Sequence, residues 1–340
     1  MDTTQNLAPV LSRIASRVLQ QSAGFAGAAI APYFSTAVPS GQYYFLGDGD
    51  LLEAPPAIKR SPGSGFARSS TRLSNDAYNC ELYGHEEPVH DEVDKKYARP
   101  GASLAVAARR SELIIMLSHE QRVQALTQDP SVPTAAVVAP WTDAASDPIG
   151  DVLTARNAVF NASALDANLI TMGRSVYEAL KHHPAIRAAI KLSDSDARWP
   201  QLMAALFDVD RLVVAKAVVN NAQQGQAIQV SEVWGGSVIV AHVDMANDFE
   251  APSFMRTFIV ADPGDAQETD YTLPASTNTS EQIDEWAKSL LSGISDEEDP
   301  VSVSLYRQEG IRSMIVRAEQ WTDEKITAPG CGFVLQHTLG

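Results

Sequence analysis

From Ala102 to Gln128 the chain runs without a proline or glycine, although it holds 19 prolines and 20 glycines in 340 residues. A stretch of that length free of both breakers predicts one helix, roughly 39 Å long at 1.5 Å per residue. Val106, Leu113, Met116, Val123 and Leu126 supply an apolar stripe, and Arg109, Arg110, Glu112 and Arg122 lie off it. Such a helix is a strut for a sheet, terminated by Pro130 and Pro133. Strands to lie on it come late in the chain. Val301-Ser-Val-Ser-Leu-Tyr and Ser313-Met-Ile-Val-Arg-Ala-Glu-Gln-Trp alternate with period two, and Phe333-Val-Leu-Gln follows the turn residues Gly330 and Gly332. Together they are expected to complete a sheet begun much earlier.

Between Asn168 and Val243 the pattern is denser. An apolar strand is followed by Ser175 and Glu178 at capping-box spacing, in which hydroxyl and carboxylate each satisfy a backbone N–H at a helix start. Val176 and Leu180 share a face of that helix. Pro184 suits the first turn of a second helix carrying Ile186 and Ile190, and Pro200 opens a third with Leu202, Ala205, Leu206 and Phe207. Leu212 to Val219 and Val233 to Val243 are rich in β-branched residues and read as strands, with Gly235-Gly236 as a tight turn after Trp234. This is an α+β unit.

Elsewhere Leu11, Ile14, Ala15, Val18 and Leu19 recur at helical spacing, so residues 8–20 are expected to form a short amphipathic helix, packed on its own core or reaching a neighbour. Gln42-Tyr-Tyr-Phe-Leu-Gly is strand-like and ends at a Gly47-Asp-Gly49 turn. Residues 50–75 are punctuated by Pro55, Pro56, Pro62, Gly63 and Gly65 and are locally basic through Lys59, Arg60, Arg68 and Arg72, the signature of an excursion from the core. A strand from Thr71 to Gly84 with a polar continuation to Val93, and a helix near Ile149 to Phe160, complete the reading.

A composition 45% apolar over 340 residues is enough for two cored domains. No apolar run approaches the roughly 20 residues of a membrane span. Cys80 and Cys331 are too few for a disulfide framework, which fits synthesis in a reducing compartment. A net charge of −16 argues against a protein that grips nucleic acid, since phosphate binding needs clustered Lys and Arg. It is compatible with a wall that encloses DNA and lets it slide. Eleven acidic residues against one basic, Lys288, give residues 262–300 a net −10, so that segment reads as a solvated surface excursion.

Enzyme readings are weaker. His85, Glu86, Glu87, His90, Asp91 and Glu92 are metal-ligand types, but the spacing is not His-Glu-x-x-His and Pro88 would break an aligning helix. A solvated strand end is the simpler account. His182-His183 at a helix junction reads as capping or surface, and neither cysteine sits in a nucleophile motif. No Gly-Lys-Ser/Thr follows Gly49, so no phosphate loop forms there.

Several segments match one known pattern in order. They are Ile30-Ala-Pro through Tyr44-Phe, Leu73 to Val93, Trp141-Thr-Asp through Ala155-Arg, Asn168-Leu-Ile-Thr-Met-Gly-Arg-Ser-Val-Tyr-Glu-Ala-Leu, His183-Pro-Ala-Ile-Arg, Leu206 to Ala215, Val233-Trp-Gly-Gly, and Trp321-Thr-Asp-Glu-Lys through Gly332-Phe. Over nearly the whole chain they resemble the major capsid proteins of tailed bacteriophages. The resemblance implies the α+β HK97-like capsid fold, with an N-terminal arm at 1–40 and an extended β-hairpin loop at 41–83. It implies a peripheral domain with a long spine helix at 84–148 and 301–340, and an axial domain mainly at 149–260. Residues 261–300 depart from the pattern as an acidic surface insertion.

On that resemblance the chain is a non-enzymatic coat subunit, without cofactor or metal. It self-assembles into hexamers and pentamers of an icosahedral head that encloses double-stranded DNA without reading its sequence, with portal, scaffold and decoration proteins as partners and no membrane. It resides in the virion after assembly in the host cytoplasm. Contacts between subunits are expected at Leu11, Val18, Lys59, Arg60, Phe66, Arg68 and Trp234. Some relatives crosslink a loop lysine to an asparagine of another subunit; Lys59 lies in such a loop, where a solvated lysine is the simpler reading. The alternatives are an encapsulin-like shell around an enzyme and a cytosolic metal-dependent hydrolase using residues 85–92.

Overall fold

The computed structural model describes residues 24–46, 59, 73–94, 102–190, 199–223, 225–246, 251–260 and 301–340. The expected helix at 8–20, the Gly47–Gly49 turn, the loop positions Arg60, Phe66 and Arg68, and the acidic segment 261–300 lie outside the described residues. In chain order the first half comprises α1 (Gly27–Ile30), β1 (Tyr33–Thr36), β2 (Ser40–Leu46), β3 (Leu73–Asn79), β4 (Glu81–His90), α2 (Asp91–Asp94), α3 (Ala102–Leu126), β5 (Thr134–Ala136) and α4 (Pro148–Ser163). Then follow β6 (Leu169–Gly173), α5 (Arg174–His182), α6 (Pro184–Ile190), α7 (Trp199–Leu206), β7 (Arg211–Ala215), β8 (Val218–Asn220), β9 (Val230–Glu232) and β10 (Val238–Ala241). β11 (Met255–Val260), β12 (Ser302–Gln308), β13 (Ser313–Ile326) and β14 (Gly332–Gln336) close the order.

β13 organises the first sheet. Its 14 residues pair along one edge with β4, from Ser313 opposite His90 to Thr322 opposite Glu81. The other edge is shared by β12, up to Glu319, and β11, from Thr322 onward. β1 adds to β11 in parallel. From Val316 to Glu324 every second residue of β13 is buried, the period of a strand with one face on a core. That face meets α3. Leu104, Ala107 and Ala108 pack on Val316 and Val89, and Ile115 packs on Ala318.

The buried side of α3 is not the stripe expected from its large apolar residues. Leu104, Ala107, Ala108, Ser111, Ile115, His119, Glu120, Val123 and nearby Thr127 are buried, whereas Val106, Leu113, Met116 and Leu126 are only partly so. Small and hydrogen-bonding side chains let the helix lie close to the sheet, and Val123 alone belongs to both sets.

The second sheet runs β5-β14-β10-β6-β7. β6 and β10 are buried at every residue, because both faces are covered. On one side Ile170, Met172, Val238, Val240 and Leu335 meet α4, α5, α6 and α7 through Val152, Val159, Leu180, Ile186 and Met203. On the other, Leu169, Ile239, Ala241 and Val334 share a core with Ile30, Val123, Phe254 and Met255, which belong to the first unit. Two sheets are thus joined by one apolar junction.

Two strands pair far from their neighbours in the chain: β14, in the last 40 residues, belongs to the second sheet, and β11, which follows β10 in the chain, belongs to the first. α4 forms as expected, with Pro148 in its first turn and Asp147 accepting from Gly150 N–H at 3.0 Å.

The capping box at Ser175 does not form. α5 starts two residues earlier, with Gly173 at the end of β6 as its cap position, and Glu232 of β9 takes the part foreseen for Glu178: it accepts from Ser175 Oγ (2.7 Å) and Ser175 N–H (3.3 Å). Glu178 instead stands 3.9 Å from His182. Gly173 has no room for a side chain, since a Cβ would lie 2.5 Å from the Gly235 carbonyl oxygen.

Candidate assembly surfaces

One turn of α3 carries the polar centre of the molecule. Glu120, 1% exposed, accepts from the N–H groups of Ala26 (2.7 Å) and Gly27 (2.6 Å) and from the Trp234 indole N–H (2.5 Å). A carboxylate with three donors can stay buried, because its lone pairs are occupied. Burial still pushes the Glu120 carboxyl up, with the donors opposing it. The contact ties α1 and the base of the β8–β9 hairpin to α3.

His119 and Arg122 face the sheet. His119 Nε2 lies 3.1 Å from Thr257 Oγ1 and its ring stacks on Tyr33 at 5.4 Å. Burial holds the imidazole down to about 4, so it is neutral at pH 7. Arg122 makes a two-pronged pair with Glu324, at 2.9 Å on both oxygens, and covers the Tyr83 ring at 3.6 Å. Only Val123 of this turn was part of the expected stripe. The available signal was the spacing Ser111, Ile115, His119, Val123, which keeps polar residues in step with buried ones.

From this frame a hairpin reaches out. β2 and β3 pair from Ser40–Asn79 at the root to Leu46–Leu73 at the far end of the described part. The root is fixed by rings: Tyr78 stacks on the buried Phe258 of β11 at 4.7 Å, and Tyr43 and Phe34 approach the same ring at 5.0 and 5.5 Å. Asn79 N–H donates to Asp323 at 2.8 Å, and Cys80 N–H to Pro39 O at 2.7 Å. Burial pushes the Cys80 thiol up to about 11, which leaves it protonated and a poor nucleophile at pH 7. Lys59 is exposed.

The residues at 85–92 are divided among separate partners. His85 meets Ser111 (3.1 Å), His90 meets Ser313 (2.6 Å), and Glu87 pairs with Arg110 (2.8 Å). Glu86 pairs with Arg317 (2.7 Å) and accepts from Tyr306 (3.1 Å), while Asp91 takes Arg307. Alternation along β4 sends neighbours to opposite faces, so sequence adjacency does not become a ligand cluster. His183 is buried, at 3.2 Å from Ser146 Oγ and 3.1 Å from Asp143 O.

Trp234 requires a correction. It was expected at a contact between subunits, but it is 2% exposed and spends its indole N–H on Glu120, so it holds this subunit together from within. Exposed apolar side chains instead include Leu153 and Phe160 on α4, Tyr44 on β2, and Ile228 and Val230 at the β8–β9 hairpin.

No family model matches the sequence. The major capsid protein of Burkholderia phage BcepMu is 25% identical over 166 residues, which are 47% of this chain and 52% of that protein. The match thus spans about half the length of that curated relative. A phage-related protein of Bordetella bronchiseptica has the same fold with a TM-score of 0.63, at 21% identity over 97% of both chains. The capsid of cyanophage P-SCSP1u matches with a TM-score of 0.51, at 9% identity over 90% of this chain and 86% of that one. The virus-like particle of Pyrococcus furiosus also gives 0.51, at 11% identity over 96% and 98%. Sharing its fold with these chains over most of their length, the chain has the HK97-like fold of phage capsid proteins.

Proposed function

We propose that this chain is the major coat subunit of a phage head, assembling into hexamers and pentamers of a closed shell around double-stranded DNA. The observation that carries this reading is the sharing of the fold over nearly the full length of phage-derived chains, together with partial sequence similarity to a phage major capsid protein. The physical roles follow from the architecture. α3 stiffens the wall, the ring-anchored β2–β3 hairpin reaches towards neighbours, and the second sheet presents a separate face for ring closure. Ring contacts join different faces of one subunit, and closure makes individually weak contacts collectively persistent. Net charge −16 suits a wall that repels the packaged polymer.

No reaction is assigned to the chain, and a portal, a scaffold and decoration proteins are its expected partners in assembly within the host cytoplasm. Residues Leu11, Val18, Lys59, Arg60, Phe66 and Arg68 remain proposed contacts between subunits. Expression of the full chain and sedimentation test the reading: megadalton particles are expected, and a small soluble oligomer would refute it. The match to the virus-like particle favours a second reading, a cellular compartment shell. Purified particles from infected or lysogenic cells decide between them, with DNA supporting the coat and an enclosed enzyme supporting the compartment.

A further inference from the structure

We propose that neighbouring copies of this chain join their second sheets edge to edge, β7 of one copy pairing with β5 of the next through main-chain hydrogen bonds. The inference rests on the shell-subunit reading. β5 and β7 are the outermost strands of that sheet, and among the described residues each pairs on one side only, β5 with β14 and β7 with β6. Exposure rises from the middle of the sheet to both ends. β6 and β10 are buried at every residue, Arg211 to Val214 of β7 are half-buried, and Thr134, Ala135 and Ala136 of β5 are exposed. Val138, just past β5, is 99% exposed.

The inner bonds of each edge define which groups point out. Pro133 O accepts from Val334 N–H (2.9 Å) and Val137 N–H donates to Gln336 O (3.1 Å), so residues 133, 135 and 137 face β14. Alternation then turns the N–H and C=O groups of Thr134 and Ala136, and the N–H of Val138, outward. Arg211 N–H donates to Asn168 O (3.0 Å), which turns Arg211, Val213 and Ala215 towards β6 and leaves Leu212 and Val214 facing out. Past the end of β7 the subunit covers that side itself, with Lys216 N–H on Gly24 O (2.8 Å).

Natural sheets blunt an exposed edge with charges or prolines, because open N–H and C=O groups template another strand. Here Thr134 to Val138 and Leu212 to Ala215 hold neither. Around β5 no Asp, Glu, Lys, Arg or His lies between Asp129 and Asp143, in a chain of net charge −16. Direction selects a second copy as the partner. β5 runs parallel to β14, β14 and β6 both run antiparallel to β10, and β7 runs parallel to β6, so the two edges point the same way. A rotation that carries one copy to the next without inverting the strands therefore sets β7 beside β5 in parallel. Such a contact joins two different surfaces of one chain and can repeat until a ring closes. Each junction holds only a few main-chain bonds, and closure adds the junctions together.

The test uses the full chain with Ala136→Pro and Val214→Pro, Ala135→Pro as a control, and a double variant, Ala136→Cys with Val214→Cys. Proline at 136 or 214 removes an outward N–H, so the melting of the isolated subunit should stay near wild type, whereas at 135 it removes a bond to β14 and should lower it. Ala136→Pro and Val214→Pro should each reduce particle yield by about tenfold or more. Oxidised particles of the double-cysteine variant should run as dimers and higher multimers on non-reducing gels. Neither single-cysteine variant should do so, since Cys80 and Cys331 are buried. The crosslink decides even if a proline variant folds poorly. Double-cysteine particles that stay monomeric on the gel, or wild-type yield from both proline variants, overturn this proposal alone. Loss of yield with only one of the two overturns it too, in favour of an extended segment of a different protein on that edge. A wild-type chain that forms neither rings nor shells overturns it together with the shell reading.

Discussion

The two sheets are stabilised by different chemistry. The second is apolar on both faces apart from Thr171 of β6, with β6 and β10 buried throughout and Ile186, Met203 and Leu180 as its cover. The first buries Thr322 and Glu324 on the face of β13 that meets His119 and Arg122 of α3. Apolar packing is tolerant of small shifts, because contact area is not directional. A buried polar set is directional, and it fixes α3 at one position along the sheet. The unit that must hold a strut at a set angle is the one that uses hydrogen bonds.

Removing the buried acceptor from the same polar turn of α3 should cost more than removing an apolar group from beneath the second sheet. Glu120→Ala strands the N–H groups of Ala26, Gly27 and Trp234 and is expected to destabilise the subunit by about 4 kcal/mol in denaturant unfolding, at roughly 1–3 kcal/mol per orphaned donor with partial relaxation. Leu180→Ala, a fully buried truncation under the second sheet, should cost about 3 kcal/mol. A larger loss at Leu180 would reverse the contrast between the sheets.

His119 sharpens it through pH. Its pKa is lowered to about 4 by burial, so the unfolded chain binds a proton more readily than the folded one between that value and its ordinary 6.5. The stabilisation is fully present above pH 6.5 and is lost as pH falls towards 4, an effect on the order of 3 kcal/mol. His119→Gln should flatten the pH dependence of stability in that window relative to wild type. An unchanged slope would show that the imidazole is not held neutral by the sheet. At the exposed edge the effect should be smallest: Glu86→Gln, opposite Arg317, is expected to cost a few tenths of a kcal/mol at pH 7.

Much of the architecture can be read locally. The limits of α3 follow from the absence of breakers, α6 from Pro184, and β12 and β13 from alternation, all within a few residues of the chain. What cannot be read locally is which residues meet. Glu120 finds its donors 94, 93 and 114 residues away, and Arg122 finds Glu324 at a separation of 202. Ser175 and Glu178 had the right spacing for a cap, but Glu232 arrived from another strand and displaced the local solution. For the assembly surfaces, the resemblance offered Trp234 as a contact between subunits, but its indole N–H meets the Glu120 carboxylate inside the subunit.

β14 carries a consequence for synthesis. It sits between β5 and β10 in the second sheet, yet it follows every strand of the first sheet in the chain. While the ribosome is still making β13, β10 has a partner on one edge only, so the second sheet stays open. Translation order therefore delays completion of the second sheet until β13 has been made, and the half of the fold with the simpler apolar packing is the one whose closure waits for the end of the chain.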